Sequence, residues 1–524
     1  MPSASTRLLL SRPPGRSFRS VLVACALLVL GTMPSATAEP RPPDLAGPGD
    51  PALDARVMDA AGTIGALRGL TPTAPVRARI QSRAEMRASL EELVAEELSP
   101  DEIAVSSRLL RALGLLAPDV DFLEMVLGLY EDQVAGYYDT RTGTLYLLSD
   151  DGLDQDDLIL VHELFHAIQD QHFGIRPLQD AGRHITDVGL ARSALIEGDA
   201  MAVMIAAMTG APVGTAQGAL MQGLMDGAAG LVAPDAELGV PHVLWRQLLF
   251  PYSAGMGFVL QVHAARGWEG VNDVYARAPV SSRAILQPRQ WLEGWEPTWL
   301  DTPDLAALAG QPPARAQQAL CADLAEQVPL GSDAATGRAT IESDPAGPES
   351  APLAFPDVRR YAADVLGVLT GAAMVQQLLE GTVPAARVEQ RLLSLAGDRL
   401  DAWRTPADPE RDILVWLTVW DSAAAAGAAG ALLVRLGEAW VPAGAPPRQD
   451  EGVHGQWTLA VDGGGALLVE RWGDLVLVAL DRGGHASAAE RCTTLLMAAE
   501  RVMTGHSRSR FPDLDAAQDA DAAP

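Results

Sequence analysis

The apolar positions of this chain change their spacing several times, and each change predicts a different element. From about Val76 they recur every three or four residues among charges, as in Arg83-Ala-Glu-Met-Arg-Ala-Ser-Leu-Glu-Glu-Leu, which predicts helix. Ser99-Pro100-Asp101-Glu102 breaks that pattern and restarts it, since proline suits a first helical turn; two or three helices are expected up to about Gly128. Between Gln133 and Leu148 two β-prone runs flank a polar turn ending at Gly143, which predicts a hairpin. An apolar run from Leu158 to Asp170, with a polar triplet set into it, and a second from Ala191 to Met208 predict two helices. Residues 209–240 are dense in Ala, Gly and Met and are expected to form a mobile flap or a weakly packed helix.

The second half reads differently. Residues 303–352 are rich in Pro, Gly, Asp and Ala and predict a linker or irregular insertion. Val358 to Leu379 looks helical, and Ile413 to Trp420 reads as a strand followed by an alanine-rich helix to Ala439. Three strands follow, Trp457–Val461, Ala466–Arg471 and Asp474–Leu480, with turns at Asp462-Gly-Gly-Gly465 and Trp472-Gly473, then a helix from Ser487 to Thr504. That order predicts a small α+β domain with an antiparallel sheet over 353–505. The acidic remainder, 506–524, is expected to be disordered. The fold class is therefore α+β: a mainly helical domain over 74–302, its hairpin just ahead of the central helix, then the smaller domain.

Composition sharpens the setting. The 39 basic residues are all arginine and face 67 acidic ones, a net charge of −28, so neither nucleic acid nor an anionic membrane surface would be attracted. The first 38 residues look like a secretory signal: Arg7, Arg12, Arg16 and Arg19 precede an apolar core from Val21 to Leu30, and Ala36-Thr37-Ala38 offers a cleavage site. Removing them leaves a chain of about −32 that begins with a loose Pro-, Ala- and Gly-rich leader over 39–73. A lipoprotein box ending at Cys25 is disfavoured because the apolar run continues past it, and no later stretch predicts a membrane span. Cys321 and Cys492 then remain, and their separation alone does not establish a pair. An exported protein, periplasmic or secreted, is expected.

The polar triplet carries the chemistry. On a helix His162 and His166 stand one turn apart and project to the same side, where two imidazoles can grip one metal ion. Glu163 lies about 100° round the helix from His162, placed to act on a water rather than to bind the metal. This is the His-Glu-x-x-His arrangement of zinc hydrolases. Glu197, 31 residues after His166 on the next apolar helix, is the best third ligand, because an acid on such a face is costly unless paired or metal-bound. Asp170 and Asp199 are candidates to hold the imidazole N–H groups. Tyr252 or His263 could donate to the oxyanion of a tetrahedral intermediate. A strand just before the metal helix is a natural rim for an extended peptide, or merely a cover for the helix.

Five segments in fixed order add a resemblance: Glu131-Asp-Gln-Val-Ala-Gly-Tyr-Tyr-Asp139, His162 through His172, Ala194-Leu-Ile-Glu-Gly-Asp-Ala200, Phe250-Pro-Tyr252 and Ala278-Pro279. Together they resemble a family of bacterial zinc metallopeptidases of gluzincin type, over roughly residues 80–300. The resemblance implies one zinc per chain on His162, His166 and Glu197, with Glu163 as the general base and a peptide or protein as substrate. It departs at Leu286-Gln287-Pro288, where the family pattern has histidine in the middle, so any role of that residue is in doubt. The expectation is an exported zinc-dependent metallopeptidase with a zincin-like helical domain. The alternative is a metal-containing envelope protein that binds peptides or a partner without cleaving them.

Overall fold

A computed structural model describes residues 51–82, 84–89, 99–131, 136–148, 157–181, 185–210, 240–327, 353–440, 448–451, 456–461 and 465–510. The expected signal segment with Cys25, most of the expected flap, residues 328–352 and the end of the acidic tail lie outside them.

Helix α1 (Pro51–Arg68) occupies what composition marked as a loose leader, and that expectation is corrected. Leu53, Val57, Ala61, Ile64 and Arg68 recur along one face, and all five are buried. Its alanines and glycines suggested coil, while the spacing of the larger side chains decided the outcome. Strand β1 (Arg77–Gln81) also replaces an expected helix: Val76 and Ala78 turn into the core with the exposed Arg77 between them, and the strand pairs with the hairpin. Helix α2 (Pro100–Ala112) starts at the predicted break: Ser99 accepts from the Glu102 backbone amide, and the Glu102 side chain caps the Ser99 amide in return. Helix α3 (Phe122–Glu131) leads to the predicted hairpin, strands β2 (Gly136–Asp139) and β3 (Thr144–Leu148), turned at Gly143 with φ +62°. The sheet order β1-β3-β2 leaves β2 at an edge.

Three long helical stretches complete this half: α4 (Asp157–Phe173), α5 (Thr186–Thr209) and α6 (His242–Ala276), the last broken by a kink at Gly267 with φ +67°. All three contribute to one core with α1, so Phe165, Leu195, Phe258 and Val57 belong to the same apolar cluster. Where α5 crosses α6 the backbones touch. A side chain on Gly198 would meet the Gly255 carbonyl carbon at 2.1 Å, and one on Gly255 would meet the Ala194 carbonyl oxygen at 2.1 Å.

The second half is built on a seven-stranded antiparallel sheet. Strand β4 (Thr298–Asp301) and helix α7 (Arg315–Gln327) precede it, and α7 is another correction, since it folds part of the expected linker. Cys321 on α7 is disulfide-bonded to Cys492. Then come β5 (Arg359–Asp364), helices α8 (Gly367–Leu378) and α9 (Ala385–Leu392), β6 (Leu395–Thr405), β7 (Asp408–Trp420) and helix α10 (Ala423–Leu433). Strands β8 (Arg448–Glu451), β9 (Gln456–Val461), β10 (Gly465–Trp472) and β11 (Leu475–Arg482) follow, then helix α11 (Ala488–Gly505) and strand β12 (Ser507–Arg510). The sheet order is β5-β6-β7-β11-β10-β9-β8. Alternation along β7 sends Leu414 and Trp416 into one core with α8 and α10, and Ile413, Val415 and Leu417 into another with α11. The expected helix from Val358 begins instead with a strand, and β12 is the ordered start of the expected tail, paired antiparallel with β4.

The halves meet along a polar seam. The Asp187 amide donates to the Val365 carbonyl, and the Ser282 amide donates to the Asp187 carboxylate. Thr186 donates to Asp364 from its amide, and the Leu369 amide donates to the Ser282 hydroxyl. Asp398 accepts from the amides of Leu366 and Gly367 and from the Trp416 indole. Among the described residues no helix is long and apolar enough to cross a membrane.

Candidate metal centre

Helix α4 presents His162 and His166 from successive turns, so that their Nε2 atoms lie 3.1 Å apart. The neighbouring helix α5 brings Glu197 to the same point, its Oε2 3.0 Å from His162 Nε2 and 3.4 Å from His166 Nε2. Ligands held tetrahedrally at the usual zinc distances stand about 3.3 Å from one another. The observed triangle has that size, and its three atoms come from three side chains able to coordinate. This buried cluster could hold a metal ion. Among the described residues the Oε1 of Glu197 has no hydrogen-bond partner, which leaves its carboxylate dependent on the imidazoles or on a cation.

Electrostatics point the same way. Burial pushes the Glu197 carboxyl up, but the two imidazoles outweigh it and hold the group below the ordinary carboxylate range. Burial would lower His166, but the carboxylates of Glu197 and Glu163 overcome it and raise it. The pocket thus favours positive charge. Glu163, 2% exposed, accepts a hydrogen bond from the Tyr138 backbone amide at 3.1 Å. Burial pushes it up to about 7, against the pull of both histidines.

The other candidates separate. Tyr252, from α6, is fully buried with its ring 6.2 Å from that of His162. Among the described residues its hydroxyl has no hydrogen-bond partner, and burial raises it well above the ordinary phenol range. His263, also on α6, packs on Trp268 at 4.2 Å between ring centres and is half-buried. Burial, then the nearby Arg68 guanidinium, lower it.

Asp170 and Asp199 hold other groups than the imidazoles. Asp170 accepts from the Tyr138 hydroxyl at 2.9 Å and from the Ile175 amide, so it ties β2 to α4. Asp199 is paired with Arg68 at 2.7 Å and accepts from the Tyr275 hydroxyl at 3.0 Å. The partner of His166 Nδ1 is Gln169 Oε1 at 2.7 Å. The sequence signal for Gln169 was its place one turn after His166 on the buried face of α4; an uncharged amide among apolar neighbours did not stand out. Gln287 accepts from Arg283 at 3.2 Å, and Arg283 also donates to Leu395 and Asp421 across the seam, so Gln287 belongs to the joint between the halves.

No family model, no curated protein and no solved structure matches the chain.

Proposed function

We propose that the protein is an exported zinc-dependent metallopeptidase with a zincin-like helical domain of gluzincin type. The observation that carries this reading is the meeting of His162, His166 and Glu197 at zinc-like spacing, with Glu163 beside them on the histidine helix. The donor set, two imidazoles and a carboxylate, is that of a catalytic zinc site with one position left for water.

When bound, zinc supplies Lewis acidity to a water and to the scissile carbonyl. Glu163 takes the proton of the attacking water and delivers it to the leaving amine. The Tyr138 amide holds the Glu163 carboxylate toward the site from β2. Tyr252 offers its unpartnered hydroxyl to the oxyanion as it forms. Among the described residues β2 ends its sheet, and it offers an extended peptide pairing positions beside the Tyr138 amide, which Glu163 already takes. Export is supported by the basic and apolar first 38 residues and by the Cys321–Cys492 bond, which suits an oxidising compartment. A metal-containing peptide binder without activity is the second reading, and the retained Glu163 speaks against it, since binding needs no base.

The test is metal content of the purified chain beside His162→Ala, His166→Ala and Glu197→Ala. About one zinc per chain in the wild type, lost in each variant, is expected. Undiminished zinc in Glu197→Ala removes that residue from the site, and no zinc in the wild type overturns the proposal.

A further inference from the structure

A buried polar chain runs from the metal centre to the first described helix. Gln169 accepts at Oε1 from His166 Nδ1, 2.7 Å away, and spends its amide protons on the Ile196 carbonyl at 3.0 Å and the Tyr275 hydroxyl at 2.8 Å. Tyr275 in turn donates to Asp199 at 3.0 Å. Asp199 is held by Arg68 through two bonds, 2.7 and 3.2 Å, and the Arg68 guanidinium lies 4.2 Å from the centre of the Trp268 ring. Gln169, Asp199 and Arg68 are each 0% exposed.

The directions of these bonds are forced. The Ile196 carbonyl can only accept, so the Gln169 group facing it must be the NH₂ and the group facing His166 must be the oxygen. An oxygen there requires hydrogen on His166 Nδ1, and in the neutral imidazole that a metal needs this leaves the lone pair on Nε2, the atom that meets His162 and Glu197. The Tyr275 hydroxyl receives one bond from Gln169 and gives its hydrogen to Asp199, so the amide cannot turn over without breaking both neighbours. Arg68 fixes the last acceptor in place.

We infer that Gln169 is the positioning residue for His166, and that Tyr275, Asp199 and Arg68 make helix α1 a working part of the metal centre. This rests on the zinc reading above. Neither Gln169 nor Tyr275 need touch substrate. Their effect is on the tautomer and aim of one ligand, so it should be seen in metal affinity before it is seen in turnover.

The experiment measures zinc affinity of the full mature chain by chelator competition, with the absorption spectrum of the cobalt-loaded protein and the melting temperature of the metal-free protein alongside. Gln169→Leu removes the acceptor at similar volume and should weaken zinc binding about 10- to 100-fold and shift the cobalt spectrum. Gln169→Glu restores an acceptor for Nδ1 but cannot donate to Ile196; it should recover zinc affinity while its metal-free melting temperature stays low. A merely structural role would make the two variants equally weak in zinc binding, in proportion to their lost stability, and that result overturns the inference. For the outer links, Arg68→Lys should change zinc affinity in the wild type and not in Tyr275→Phe, since the phenylalanine cuts the chain. Equal effects in both backgrounds overturn the part assigned to α1. Absence of zinc from the wild type overturns the zinc reading itself, whereas wild-type zinc with an unaffected Gln169→Leu overturns this inference alone.

Discussion

Gly198 and Gly255 face each other where α5 crosses α6, and neither has room for a single carbon. A Cβ on Gly198 would stand 2.1 Å from the Gly255 carbonyl carbon and 2.6 Å from the Met256 amide nitrogen. Both obstacles are backbone, so no side chain can turn aside to make space. Gly198 lies between Glu197 and Asp199, so the close crossing fixes both the carboxylate that meets the two histidines and the acceptor that receives Tyr275 and Arg68. Helix α6 supplies Tyr252 three residues before Gly255.

Gly198→Ala is therefore expected to do damage out of proportion to one methyl group. Overpacking a core commonly costs about 1–3 kcal/mol, and contact with unyielding backbone places this site at or above the upper end. Denaturant unfolding should show the loss, and zinc content should fall with it, because moving α5 outward moves Glu197. A variant with wild-type stability and zinc would mean that the crossing is looser than its geometry.

The seam between the halves predicts a pH dependence. Burial pushes Asp187 up to about 7 and Asp364 up to about 6, each against hydrogen bonds that favour ionisation, and burial also raises Asp398. Groups raised in the folded state bind protons there more tightly than in the unfolded chain. Their stabilisation is complete below the unfolded carboxylate value, about 4, and is lost as pH rises toward about 7. Asp187→Asn keeps an acceptor for the Ser282 amide and removes the charge. Melting temperatures across that window should fall less steeply with pH for the variant than for the wild type. Parallel curves would clear Asp187 of any part in the slope.

How much of this was readable from the chain depended on how loudly each residue spoke. Two histidines one turn apart inside an apolar run announce themselves, and an acid on the next apolar helix completes the set, which the structure gathers at one point. The hairpin and the β7, β9, β10 and β11 strands were legible because β-prone runs stood between glycine or aspartate turns. Strand β6 was hidden by Asp398 and Asp401, which look like loop residues until their buried partners are known. Helix α1 was hidden by composition, since its apolar face is sparse and much of it is alanine. Gln169 and Tyr275 were silent for a different reason. Their role lies in a partner 3 to 106 residues away, and only the folded chain shows which partner that is.

Glu163→Gln separates base catalysis from metal binding. The substitution keeps the volume and an oxygen for the Tyr138 amide, and Glu163 stands outside the ligand triangle. Zinc content and melting temperature should stay near wild type. Hydrolysis of an unfolded protein or a peptide library should drop by about 10² or more, the usual share of a general base. Chelation should abolish the wild-type activity and added zinc restore it. Equal cleavage by both proteins would take the base role from Glu163.

Tyr252→Phe gives the sharpest contrast between stability and function. The Tyr252 hydroxyl is buried without a partner among the described residues, which gain no bond from it while it bears the cost of its desolvation. Removing one oxygen from a fully enclosed ring leaves the packing intact, and unfolding should become harder by up to about 1 kcal/mol. Zinc affinity should not change, because Tyr252 supplies no ligand. Turnover should fall by about 10²-fold with little change in KM, since a hydroxyl that meets only the oxyanion strengthens its bond in the transition state. A structural tyrosine gives the opposite pair, lost stability with normal turnover. A donor that also binds the ground-state carbonyl would raise KM as kcat falls. Stability that rises while kcat alone falls is the outcome that assigns the hydroxyl to the oxyanion.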